Sequence, residues 1–176
     1  MRNESRSRHK MLDHLEHEVA QFYGALAEFT ERDRPDILNL PRDHPERIRR
    51  NTAFEAFLLH ARLLDDFLGS KPAEGSDDFW AGHLIETWTA ARPLATLPDI
   101  DGLSVRVRIN KQLAHLTTKR LTHKKFPIRA MAQAITNSLI EFVNQAYPVL
   151  GENIWQINVW LYSTWTTTEP PIQSGS

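Results

Sequence analysis

The run MLDHLEHEVAQFYGALAEF, residues 11–29, decides the fold class. Leu12, Leu15, Val19, Phe22, Leu26 and Phe29 recur at alternating steps of three and four, so they line one stripe of an α-helix. The pattern predicts a first helix from about Arg8 to Arg32. "RPDILNLPRDHP" interrupts it with three prolines. A second helix follows from about Pro45 to Leu68, with Phe54, Phe57, Leu58, Ala61, Leu64 and Leu68 on one face, and "GSKPAEGS" closes it.

A shorter amphipathic helix is predicted from Asp77 to about Ala90, opened by Ser76 as N-cap and packed through Phe79, Trp80, Leu84 and Trp88. A third long helix spans about Leu103 to Leu121, although "SVRVRI" alternates as a strand would. The fourth starts at Pro127, carries Ile128, Met131, Ile135, Leu139, Phe142 and Ala146 on one line, and ends before Pro148. The expected architecture is all-α: an up-and-down helical bundle of four long helices plus one short helix. Residues 1–150 are read as the single helical domain. Residues 151–176 form a tryptophan-rich segment and polar tail, open at this point to a strand, a short helix or an extended arm.

A chain of 176 residues that is 41% hydrophobic can bury one sizeable core. It has no cysteine, which excludes disulfides and thiolate metal sites, and no run approaches eighteen apolar residues. With a charged start lacking a secretory pattern, the expectation is a cytoplasmic protein with no membrane partner. The formal charge of −1 conceals a partition: residues 102–140 hold eight bases and no acid. Elsewhere, thirteen bases face twenty-two acids. Such a segment suits an anionic partner.

Within it lies VRVRINKQLAHLTTKR, residues 105–120. On a helix Val105, Ile109, Leu113 and Leu116 share the packing face, while Arg108 and His115, seven apart, fall within about 20° of each other at its edge. Gln112 lies between them. Each residue rises about 1.5 Å, so the pair is separated by roughly 10 Å, within reach of one phosphate. A histidine near neutrality can move a proton, and an arginine can stabilise charge on a phosphorane. A basic helix edge with one interfacial histidine is equally an ordinary structural feature.

"RINKQLAH", with six residues between arginine and histidine, resembles the motif of the HEPN superfamily, the "higher eukaryotes and prokaryotes nucleotide-binding" domains. "INKQLAHLTTKR" and "FLLHARLLDDFL" are similar to segments of small bacterial proteins of that type. The resemblance implies a homodimer in which two arginine-histidine helices face a shared cleft. It implies either of two activities. One is a metal-independent endoribonuclease of a toxin or phage-defence system, sometimes held by an antitoxin protein, with Arg108 and His115 catalytic and no cofactor. The other is a non-catalytic module that binds RNA, a nucleotide or a protein.

Lys111 and Asn110 belong to the same supporting set, although Ile109 stands where many members carry a polar residue, and Asn110 points about 200° from Arg108. Asp65 lies about 50° from the middle of its helix's apolar face, whereas Asp66 falls on the solvent side. A carboxylate so placed usually needs a positive or donating partner, for which Arg108 is one candidate; the alternative is that it pairs with a nearby lysine or sits at a rim. His60 flanks that face and is a candidate to line the cleft.

The run "TKRLTHKKF" puts Lys119, Arg120, Lys124 and Lys125 where they can hold RNA backbone phosphates or complement a helix end. His14, His17 and Glu18 have a spacing that could seat a metal, but they lie opposite the Leu12 and Leu15 stripe and read as a solvated face, so no metal is assigned.

Overall fold

The computed structural model describes residues 2–89, 92–114 and 125–165. Among them are six α-helices: α1 (Arg2–Arg32), α2 (Pro35–Leu38), α3 (Pro45–Gly69), α4 (Val105–Ala114), α5 (Ile128–Leu150) and α6 (Trp155–Trp165). No strand is present among the described residues. No described helix is long and apolar enough to cross a membrane.

The stripe of α1 does what its spacing requires: Leu12, Leu15, Val19, Phe22 and Phe29 are buried. α3 begins where His44 caps it through its Nδ1, accepting the Glu46 N–H at 3.3 Å, with Pro45 in the first turn. Phe29 meets Phe54, Phe22 stacks on Phe57 at 5.2 Å between centroids, and Glu18 meets His60. Numbers fall on α1 as they rise on α3, so the two helices run antiparallel. Phe22 and Phe57 are wholly buried, and burial of each such side chain stabilises the fold by about 1.5–3 kcal/mol.

α5 enters this groove with Met131, Ile135, Leu139, Phe142 and Ala146 buried, the predicted line. Phe126, just before it, touches Phe54, and Phe142 touches Phe67, so α5 runs parallel to α3. A buried polar tie joins it to α1, between Tyr23 Oη and Thr136 Oγ1, 2.7 Å apart. Burial pushes the Tyr23 phenol up to about 12, against a smaller lowering by Thr136.

The structure departs from expectation in three elements. α5 continues through Pro148 to Leu150. A proline in the last turn sacrifices one helical hydrogen bond, Leu150 still buries, and Gly151, at a φ of +55°, closes the end with its N–H on the Tyr147 carbonyl.

The short helix predicted over residues 77–90 is absent from the described residues 77–89, which hold only a 3-10 turn at Ala81–His83. The aromatic side chains explain this. Phe79 packs on Phe67 of α3, whereas Trp88 packs on Phe142 of α5 and donates from Nε1 to the Leu68 carbonyl at 2.8 Å. The chain follows the α3–α5 seam and places each ring in its own site. Gly82 carries no side chain because the Trp80 indole lies over it, 2.2 Å from where a Cβ would stand.

α4 starts at Val105, two residues after the predicted start. The preceding "IDGL" closes a two-residue turn in which Ile100 and Leu103 exchange N–H···O bonds of 2.8 and 3.1 Å. Asp101 and Gly102 both take positive φ there, the conformation that Asp-Gly supplies.

The tryptophan-rich segment forms a 3-10 turn and then α6. Ile154, Ile157 and Leu161 bury into the same core as α1 and α5.

Candidate functional site

The strand-like alternation of "SVRVRI" resolves as a helix, and that puts Arg108 instead of Val107 on the inward side. Val105, Arg108 and Ile109 are buried, whereas Val107 is exposed. Arg108 retains 4% exposure, deeper than the face-edge position its spacing suggested. Its Nη2 stands 3.9 Å from the Asp101 carboxylate, and neither Nε nor Nη2 has a hydrogen-bond partner. Buried donors without acceptors are uncommon in folded chains. The buried Asn110 Oδ1 is also without a hydrogen-bond partner. Lys111 is half-buried on the same helix.

Asp65 is fully buried on α3. Its Oδ1 accepts the Leu94 N–H at 2.8 Å, and its Oδ2 lies 3.4 Å from Nη1 of Arg106, which also pairs with Asp66. Burial raises its carboxyl above the usual range. The Leu94 N–H, then Arg106 and Arg92, act against that rise, and Asp66 adds to it. Among the described residues, neither Arg108 nor a lysine pairs with Asp65. Arg106 faces α3, while the Arg108 head reaches the Asp101 turn.

His60 is held by Glu18, Nδ1 to Oε2 at 2.6 Å, within the α1–α3 seam. Glu18 is therefore drawn toward α3, while His14 and His17 are exposed. No group of three metal-ligating side chains occurs among the described residues. His115, Lys119, Arg120 and Lys124 lie outside the described residues.

Two of the predicted residues do come together. Gln112, one turn beyond Arg108, and Lys125, before α5, line a half-open pocket of about 550 Å³ with Arg42, Arg47, Arg50 and Asn51. Its apolar wall includes Phe54, Phe126 and Ile128. Four cations face two carboxylates, Asp33 and Glu55. Arg47 donates to the Leu40 carbonyl at 2.6 Å. Arg50 donates to Asp33 at 3.0 Å and lies 4.9 Å above the Phe29 ring. The pocket size falls within the range of about 300–1,000 Å³ typical of ligand sites.

The three arginines were missed in the sequence because "RDHPERIRR" reads first as a helix start. Its signal was present as four arginines in nine residues, opposed by Asp43 and Glu46.

No family model, curated protein or solved structure matches the chain.

Proposed function

We infer that the chain is a cytoplasmic, homodimeric HEPN-like protein that acts on RNA, and that binding is the activity its geometry supports best. One observation carries this reading: the acid-free segment sends Gln112 and Lys125 into a pocket already bordered by Arg42, Arg47 and Arg50. Cations gathered on a concave surface neutralise backbone phosphates and release their counterions, which gives affinity without sequence choice. The test is RNA binding by the full chain across a salt series. Affinity should fall steeply with salt and should weaken in Arg42→Glu. Salt-independent binding, or none at low salt, overturns the reading.

A second reading is a metal-independent endoribonuclease, favoured by the two Arg108 nitrogens, Nε and Nη2, that make no hydrogen bond. In that reaction the ribose 2'-oxygen attacks the adjacent phosphorus and the 5'-oxygen leaves with a proton, giving a 2',3'-cyclic phosphate. Arg108 would stabilise the phosphorane, and His115 would move the proton. Total RNA incubated in EDTA should be cut by the wild type and left intact by His115→Ala. Equal cleavage by both, or none by the wild type, overturns the catalytic reading alone.

A further inference from the structure

The pocket lining is of two chemical kinds, charged and apolar. Arg42 and Lys125 are exposed cations in its lining, Phe54, Phe126 and Ile128 supply apolar surface, and the amides of Asn51 and Gln112 and the carboxylates of Asp33 and Glu55 line it as well. A site for phosphate alone needs only the cations. The apolar wall and the amides match a flat heterocycle whose edge carries hydrogen-bond donors and acceptors.

We propose that the pocket takes one unpaired nucleotide of single-stranded RNA, with its base against the apolar wall and its phosphates at Arg42 and Lys125. This rests on the RNA-acting reading and names the form of RNA. In a duplex the base faces are stacked and the pairing edges are used, so a concavity of about 550 Å³ can meet only its backbone. An unpaired base can leave the stack and enter, and aromatic contact of this kind tolerates any base because each has a π-face.

Asn51 and Gln112 line the pocket together although 61 positions separate them. They come from α3 and α4: Arg106 of α4 meets Asp65 and Asp66 of α3, and Gln112 lines the same pocket as Asn51. Asn51 Oδ1 accepts from Arg50 Nη1 at 3.0 Å, which orients its amide and leaves the NH2 as a donor.

The experiment measures binding of a short labelled strand, single and as a duplex, both carrying 2'-fluoro groups so that no 2'-hydroxyl can attack. The wild type should prefer the single strand by roughly tenfold or more. Asn51→Trp, which fills the pocket from an exposed helix position, and Gln112→Ala, which only shortens a side chain, should both reduce that preference. Equal affinity for the two forms, or a preference that survives in both variants, overturns the proposal and leaves RNA binding standing. Failure to bind either form overturns the RNA-acting reading and this proposal with it.

Discussion

Asp65 accepts the Leu94 N–H at 2.8 Å while wholly removed from water, and Arg106 reaches its other oxygen from α4. One carboxylate on α3 thereby fastens both the 3-10 turn at Pro93–Thr96 and the first turn of α4. Burial outweighs these two partners, since the carboxyl is held above its ordinary value of 3.8. The neutral acid is therefore favoured more in the folded chain than in the unfolded one. Its contribution to stability is fully present below pH 3.8 and declines as pH rises through the folded value.

Asp65→Ala should destabilise the fold by about 1–3 kcal/mol, because the Leu94 N–H and one Arg106 interaction lose their acceptor. Asp65→Asn keeps an acceptor for Leu94 and does not ionise. The stability advantage of the wild type over Asp65→Asn should shrink as pH rises from below 4 toward neutrality. Urea unfolding of both chains across that range checks the sign; an advantage that grows with pH contradicts it.

Tyr23→Phe removes the buried bond to Thr136 and should cost about 1 kcal/mol, with a smaller cost when Thr136→Val is already present. Because burial raises the phenol to about 12, the protein should lose stability as pH climbs from 10 toward 12. Absorbance titration should show one of the three tyrosines ionising well after an ordinary phenol. An early, complete titration in the folded protein would contradict this.

Gly69→Ala presents a contest between two effects of opposite sign. Alanine in place of glycine within a helix is worth up to about 1 kcal/mol. Here, however, the new Cβ would stand 2.2 Å from Arg92 Cγ and 2.7 Å from Arg92 Cα. Backbone cannot swing aside as a side-chain tip can, and overpacking of this kind costs about 1–3 kcal/mol, so the clash should win. A thermal melt showing a lower Tm than the wild type is the expected result.

Arg108→Met keeps the aliphatic stem in the core and removes a buried charge whose long ion pair with Asp101 leaves Nε and Nη2 without a hydrogen bond. Replacing a poorly paired buried ion with an apolar side chain is often neutral or stabilising. The variant should melt no earlier than the wild type. If Arg108 serves RNA cleavage, the same variant loses that activity, so stability and function part company at one position. A large fall in Tm would instead assign Arg108 to holding the fold.

Arg42→Glu with Lys125→Glu should reduce the slope of log affinity against log salt by about 1 for each phosphate that the protein no longer neutralises. Both side chains are exposed, so the melting curve should hardly move. Unchanged salt dependence would place the RNA-binding surface elsewhere on the molecule.

Much of the architecture was legible because a helix repeats every 3.6 residues and a core takes one side of that repeat. The lines on α1, α3 and α5 were each visible as intervals between apolar residues, and those residues are buried, except that Leu26, Phe54 and Ile128 are only partly so. Phe79, Trp80, Leu84 and Trp88 show the limit of that rule: a helix-like spacing became a chain laid along a seam, since Phe67 and Phe142 offered separate sites for two of the rings. The RVR run shows it again, because local alternation cannot reveal which of Arg106 and Arg108 meets α3.

By itself, then, the sequence determined the helical class, the inward faces of the three longest helices and the basic segment from 102 to 140, all properties of neighbours a few residues apart. Tertiary structure decided the pairing of Asp65 with Arg106, the burial of Arg108, and the meeting of Arg42, Arg47 and Arg50 with Gln112 and Lys125. Those outcomes depend on how antiparallel helices are set against one another. That register is fixed by packing between distant segments, which no local period encodes.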